Sequence, residues 1–486
     1  MADFPFRSAV ELASEIKAKR IGCRELLELY LTRVERYNPQ LNAIIATDIE
    51  GAHQRADAAD AALAKGESWG PLHGVPMTVK ESYDIVGLPT TWGAPEFKDF
   101  KPERNAIAVD RFLRAGAVIF GKTNVPYMLG DFQSYNVIYG TTNNPWDVKR
   151  SPGGSSGGAA AALAAGLTGL EAGSDIGSSL RNPAHYCGIY AHKPTFGVIS
   201  TEGHRSPGRV SVADISAIGP LARSAADLEV AMAVMAGPDA TDGAAWRIEL
   251  PKAKQERLAD FRVAVLLEVP HAPVDRSVQD AIQSVADALA KAGAAVSDRA
   301  RPAIDTAEVD QLFRGLLGAA MAGRQRDDIF KQNLDKARAL AADDVSPAAR
   351  SLRAATMAHR DWIVGNEKRH QMRLKWAEFF RDYDVLLCPP VATPAQPHNH
   401  EGEPFSRSIP INGKQVSVGD QLFWAGYAGL FYLPASAAPA GQSPEGLPVG
   451  VQIIGGQYRD LTCIRLARLL EREYRGFVPP PGYAAS

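Results

Sequence analysis

The sequence predicts an α/β protein. Short apolar runs of strand length alternate with helical stretches from end to end, and the 486-residue chain is long enough to spread one continuous sheet over a sizeable core. Hydrophobic residues make up 45% and charged residues 22%, a composition that excludes extensive disorder. Lys and Arg number 53 against 55 Asp and Glu, a net charge of −2. Bulk electrostatics therefore draw the chain to neither nucleic acid nor an anionic membrane.

The first helix is announced by Ser8-Ala-Val-Glu11, a capping box in which the hydroxyl and the carboxylate satisfy each other's orphan backbone donors. Leu26, Leu27, Tyr30, Leu31 and Val34 repeat at helical spacing up to Asn38-Pro39, which predicts a second helix that stops there. Ala52 to Lys65 predicts a third, alanine-rich helix. Val75-Pro-Met-Thr-Val79 and Ala117-Val-Ile-Phe120 predict buried strands. Residues 151–200 are rich in small side chains, yet Ala159 to Leu167 has helix-forming rather than linker composition. Arg262 to Leu266, Asp384 to Cys388 and Val449 to Ile454 predict further strands. Residues 303–381 are polar, Arg-rich and helical, an excursion expected to cover one end of the sheet. The sequence shows no internal repeat.

Cys23, Cys187, Cys388 and Cys463 form no CxxC pair and no zinc-type cluster, so buried reduced thiols are expected. Met1-Ala-Asp-Phe-Pro-Phe-Arg7 lacks a basic segment followed by an apolar run, and no stretch reaches the uninterrupted apolar length of a membrane span. The cytoplasm is the expected location.

The chemistry concentrates in two glycine-rich turns. Ser155 lies in Ser151-Pro-Gly-Gly-Ser-Ser-Gly-Gly158 and Ser179 in Gly173-Ser-Asp-Ile-Gly-Ser-Ser-Leu-Arg181. Such turns bare backbone N–H groups beside a protruding hydroxyl, which suits a nucleophile next to an oxyanion hole. The consecutive N–H groups of Ile176, Gly177, Ser178 and Ser179 are candidates to meet a developing oxyanion. Lys80 closes an apolar run, and desolvation there would make its neutral form accessible near pH 7. Taken singly, Lys80 reads as a solvated strand-end lysine and each Ser-Gly run as an ordinary turn or helix cap.

Together these pieces resemble the amidase signature family. The resemblance rests on Gly153-Gly-Ser-Ser-Gly-Gly158, Asp175-Ile-Gly-Ser-Ser-Leu-Arg-Asn-Pro183, His73-Gly-Val-Pro-Met-Thr-Val-Lys80, Gly121-Lys-Thr-Asn124, Tyr139-Gly-Thr-Thr-Asn-Asn-Pro145 and Lys193-Pro-Thr-Phe-Gly197. It resumes weakly at Leu447-Pro-Val-Gly-Val-Gln452 and is thin between roughly 240 and 420. It implies one domain over 1–486 with a single large mixed sheet wrapped by helices: N-terminal helices over 1–70, a catalytic core over 71–240 and a pocket-covering excursion over 300–430. It also implies a Ser-Ser-Lys triad with Ser179 acylated, Ser155 relaying protons and Lys80 as the ultimate base. Gly154 would precede a cis bond, Asp175 and Arg181 would brace the turn, and neither cofactor nor metal is expected.

The implied substrate is a small-molecule amide, with ester and carbamate open, and no nucleic-acid or membrane partner; a homodimer is left open. The same family includes the glutamine-hydrolysing component of tRNA-dependent amidotransferases, which is the alternative, and an inactive binding scaffold is the non-enzymatic one. Five residues depart from the family pattern: Glu171 for a small residue, Ser178 for glycine, His185 and His192 for apolar residues, and Tyr127 for glutamate. Pocket walls are expected near 127–133, 202–212 and within 303–430.

Three other motifs compete. Gly116 to Thr123 fits GxxxxGK[ST], but the apolar strand sits between the glycines and Pro126 follows soon after the lysine. Gly153 to Gly157 fits the GxSxG nucleophile elbow, but the preceding Asn143 to Arg150 is polar where an elbow needs a buried strand. His398-Asn-His400 has no partner at ligand spacing. Trp424, Tyr427, Phe431 and Tyr432 fit either a pocket floor or ordinary core.

Overall fold

The computed structural model describes residues 4–484, so Met1–Asp3 of the N-terminal reading lie outside it. An eight-stranded mixed sheet forms the centre. Its spatial order is Ala295–Ser297, Arg262–Val265, Val385–Cys388, Pro448–Gly455, Ala435–Gln442, Tyr190–Lys193, Ala217–Ala222 and Glu171–Asp175. The first three strands run parallel to one another and every later neighbour is antiparallel. Val385–Cys388 and Pro448–Gly455 are buried at every position, as expected of strands covered on both faces.

The strands predicted around 75–79 and 117–120 form, but in a second sheet. Pro76–Lys80 pairs in parallel with Val118–Thr123, which pairs on its other side with Ile44–Thr47. This small sheet abuts the edge of the large one: the Thr78 N–H donates to the Leu170 carbonyl at 3.3 Å and to Thr168 Oγ1 at 2.9 Å. Lys80, at the end of the small sheet, is thereby brought beside Glu171–Asp175.

The first helix, Ala9–Lys17, carries the predicted capping box: Ser8 Oγ accepts from the Glu11 N–H, and Glu11 accepts from the Ser8 N–H. The second corrects the expectation that Asn38-Pro39 would stop it, since Cys23–Leu41 runs through Pro39. A proline in the final turn forfeits one N–H bond, and the true stop is Asn42 in the left-handed region, with Asn38 Oδ1 accepting from the Ala43 and Ile44 N–H groups. The third helix begins three residues earlier than expected, at Ile49, because Asp48 caps it.

Residues 303–381 are helical as expected: Thr306–Ala322, Asp327–Ala339, Pro347–Ala355 and His359–Asp382. Trp376 of the last helix packs against Tyr427 and Phe431. Trp424, Tyr427 and Phe431 are fully buried core residues, while Tyr432 is half-buried and donates to Asp214 Oδ1 at 2.7 Å. All four cysteines are free and buried. Among the described residues no helix is long and apolar enough to cross a membrane, and no group of His, Cys, Asp and Glu is arranged to hold a metal ion.

Candidate active site

Lys80 is completely buried at the end of Pro76–Lys80. Its Nζ lies 2.7 Å from Ser155 Oγ, 3.0 Å from Ser156 Oγ and 2.9 Å from Ser174 Oγ. Burial lowers the amine to about 7, against the partial opposition of Asp175 and Glu171, so the neutral form is populated near neutrality. A neutral amine has two hydrogens and one lone pair, and three hydroxyls surround it. Ser156 Oγ already donates to the Ser174 carbonyl at 3.3 Å, so it receives from Lys80. Ser155 Oγ–H has no other acceptor among the described residues and is free to point at the lone pair.

Ser155 follows a cis peptide bond from Gly154, as the resemblance implies. The turn is pinned by Gly154 N–H to Asn182 Oδ1 at 3.0 Å and Gly157 N–H to Ser134 Oγ at 3.0 Å. Only glycine fits at 154. A Cβ there would lie 2.4 Å from the Asp131 carbonyl oxygen and 2.7 Å from the Gln133 N, both rigid backbone. Gly154→Ala is therefore expected to lower stability by about 2–3 kcal/mol, the range of an overpacked core site, and to lose activity; thermal denaturation and turnover of the variant check this.

Ser179 closes the turn that follows Glu171–Asp175 and is 6% exposed, the most accessible of the three. Ser156 N–H donates to the Ser179 carbonyl at 3.2 Å, which holds the two serine turns edge to edge. The Asp175 side chain gathers the donors of this turn. Its oxygens accept from the Ser178 N–H at 2.9 Å, the Leu180 N–H at 3.1 Å and, in a two-pronged pair, Arg181 Nη2 at 2.7 Å and Nε at 2.9 Å. Arg181 continues to Gln452 Oε1 and the Ala425 carbonyl. This pair is wholly buried, and the guanidinium holds the Asp175 carboxyl below its usual range despite burial.

One expected oxyanion donor is corrected. The Ser178 N–H is spent on Asp175, because a carboxylate three residues upstream is a better acceptor than an empty turn. The Ile176, Gly177 and Ser179 N–H groups have no protein acceptor among the described residues and stay open. Ser178 itself sits at φ +79°, a conformation natural to the glycine the family pattern has there, and its hydroxyl donates to the Pro390 carbonyl at 3.2 Å.

The other departures are accounted for by packing. His185 accepts from the Gly450 N–H at 2.9 Å through Nδ1 and reaches the Thr393 carbonyl at 3.0 Å through Nε2, and burial lowers it to about 4. His192 bridges Ser436 Oγ and Asp460 at 2.9 and 3.1 Å. His185 ties its helix to the strand Pro448–Gly455, and His192 ties its strand to Ser436 and Asp460. Tyr127 is exposed and donates to Glu96 at 3.2 Å. Glu171 is buried and accepts from Thr78 Oγ1 at 2.6 Å; burial raises it to about 8, so it is largely protonated at neutral pH.

The competing motifs find no supporting geometry. Gly116 to Thr123 contains the strand Val118–Thr123, and Lys122 is buried in bonds to the Pro89 carbonyl and Thr90 Oγ1. Among the described residues no strand leads into Ser155. His400 stacks on Tyr135 with ring centroids 3.7 Å apart.

The family model describing amidases matches residues 25–464. The chain belongs to the amidase signature family. Among its relatives, the indoleacetamide hydrolase of Bradyrhizobium diazoefficiens is 33% identical over 472 residues, covering 96% of this chain and 86% of that protein. A glutamyl-tRNA(Gln) amidotransferase component from Anaeromyxobacter sp. (strain K) is 30% identical over 97% of both chains. The solved 6-aminohexanoate cyclic dimer hydrolase in complex with substrate superposes with a TM-score of 0.78 at 26% identity, covering 99% of each chain. This amidase is accordingly a hydrolase of carbon–nitrogen bonds. Two of its site residues, Ser156 and Ser174, are missed by the sequence reading; the signal for them is their position beside the assigned Ser155 and Asp175.

Proposed function

We propose that this chain is a free-standing amidohydrolase in which Ser179 is acylated through a proton relay of Ser155 and Lys80. The observation that carries it is the buried 2.7 Å contact between Lys80 Nζ and Ser155 Oγ in a chain of the amidase family. Ser179 Oγ attacks the amide carbon as its proton passes to Ser155 and the Ser155 proton passes to Lys80. The carbonyl oxygen becomes negative among the Ile176, Gly177 and Ser179 N–H groups. When the C–N bond breaks, the proton on Lys80 returns through Ser155 to the departing amine. Water then repeats the relay against the acyl-enzyme and releases the acid.

Ser156 and Ser174 act as positioning residues that hold the Lys80 lone pair toward Ser155. Residues 71–240 supply the catalytic groups and 300–430 cover the substrate. Four free, buried cysteines support residence in the cytoplasm. Esters and carbamates offer the same carbonyl to the same groups, so selection among them falls to the pocket walls.

The amidotransferase relative favours a second reading, a glutamine-hydrolysing component of a larger assembly. The chain purified alone separates the two. Free-standing catalysis is expected: hydrolysis of an anilide without other proteins, with a fluorophosphonate adduct located on Ser179 by peptide mass. Turnover only with partner proteins and glutamine, or an adduct on Ser155, would overturn the proposal.

A further inference from the structure

The three segments expected to wall the pocket converge on one guanidinium. Arg324 lies between the helices Thr306–Ala322 and Asp327–Ala339, inside the 303–430 excursion. Its Cζ stands 5.1 Å over the Trp92 ring, and Nη1 lies 3.5 Å from the Met128 carbonyl, in the 127–133 wall. From the 202–212 wall, Arg209 donates to the carbonyl of Gly323, the residue before Arg324. His204, from the same wall, has its ring 5.5 Å from Trp92 and its Nε2 2.9 Å from the hydroxyl of Ser82, two residues beyond Lys80. Arg324 therefore borders the catalytic lysine's own loop.

Among the described residues this guanidinium has no counter-ion. It makes no ion pair, and the charge that acts on it is another cation, Arg209. Burial lowers it to about 10, which leaves it charged at neutral pH. Glu81 spends both oxygens on the Thr91 and Trp92 N–H groups, and Glu96, four residues beyond Trp92, accepts from the Tyr127 hydroxyl. His204 is driven well below its ordinary range by burial and carries no compensating charge. A half-buried arginine without an acid is costly unless something negative joins it.

The adjoining backbone is held in sparsely populated conformations. Trp92, Met128 and Leu129 all adopt left-handed conformations, at φ +56°, +48° and +61°, which non-glycine residues hold only where the surroundings enforce them. Trp92 and Met128 are joined directly, Met128 N–H donating to the Trp92 carbonyl at 2.8 Å. Trp92 Nε1 is buried without a partner. The site thus joins a cation, an aromatic ring and an unspent donor beside the loop that follows Lys80.

Resting on the amidohydrolase reading above, we propose that the substrate of this enzyme is an amide carrying a carboxylate, which Arg324 binds over Trp92. Planar guanidinium and planar carboxylate match in charge and geometry, and one acid would balance this cation. The anchor turns the scissile carbonyl toward Ser179 and discriminates against neutral amides. Arg324 is a specificity residue here and takes no part in the proton relay.

The test compares paired chromogenic substrates that differ only in the acid: succinyl and glutaryl 4-nitroanilides against butyryl 4-nitroanilide, and N-acetyl-5-amino-2-nitrobenzoate against N-acetyl-4-nitroaniline. The wild-type enzyme is expected to favour the carboxylated member of at least one pair by about 10- to 100-fold in kcat/KM, the range of one charge-assisted bond. In Arg324→Met that ratio is expected to collapse toward unity, chiefly through KM, and Arg324→Lys is expected to restore part of it. Wild-type enzyme that favours the carboxylated member of no pair overturns the inference without needing any variant to fold, as does an Arg324→Met variant whose ratio matches wild type. Fluorophosphonate labelling of the wild-type chain keeps the two readings apart. Labelled enzyme with no carboxylate preference sinks the inference alone, whereas absence of both labelling and cleavage sinks the hydrolase reading and this inference with it.

Discussion

Ser179→Ala is expected to lose at least about 10^4-fold in kcat and all covalent labelling by a fluorophosphonate, while folding and melting like the parent. The scale follows from removing a nucleophile whose chemistry no neighbour can assume. Ser155, the other serine of the relay, is 1% exposed, and its hydroxyl faces Lys80 at 2.7 Å. Stability should change little because the Ser179 hydroxyl has no protein partner among the described residues, whereas its backbone, which receives from Ser156, is untouched. Rate constants and intact-protein mass after inhibitor treatment measure both halves. Residual turnover above about 1% of wild type would place the nucleophile elsewhere.

Lys80→Met is expected to cost about 10^3- to 10^4-fold, the upper range for a lost general base. Methionine fills the volume of the buried stem but provides no lone pair for Ser155. Because the two residues act as one relay, Lys80→Met combined with Ser155→Ala should be scarcely slower than the worse single variant. Independent, multiplying losses in the double variant would show that they do not share a proton path. Three hydroxyls also lose their amine partner, so a drop in melting temperature is expected alongside the rate effect, and kinetics should be measured well below the variant's midpoint.

Much of this site is legible in the sequence because its motifs encode local backbone geometry. Glycine at 154 is demanded by the carbonyl of Asp131 and the backbone of Gln133, and Asp175 and Arg181 are six residues apart on one turn. What stays hidden depends on contacts between distant segments. That Pro76–Lys80 belongs to a separate three-stranded sheet follows from pairing with Val118–Thr123 and Ile44–Thr47, which no local pattern announces. Ser174 reaches Lys80 only because that sheet abuts Glu171–Asp175.

The departures from expectation are equally physical. Pro39 reads as a helix stop, yet in a last turn a proline forfeits one hydrogen bond and the αL residue Asn42 decides the end. The glycine-rich turn at Ser179 suggests four free N–H groups, but the Asp175 side chain competes for the one on Ser178. His185 and His192 stand out as unusual for the family pattern. In three dimensions each has partners on both ring nitrogens and stitches the large sheet to its neighbours.

The claim beneath the whole mechanism is that Lys80 acts as a neutral amine, and the pH dependence of Ser179 acylation under single-turnover conditions measures it most directly. With the amine lowered to about 7, the basic form prevails above that pH and is depleted below it. The acylation rate should be level on the alkaline side, turn over near pH 7, and fall about tenfold for each further pH unit, one proton being bound. An acylation rate that stays constant from pH 8 down to pH 5 would contradict the account.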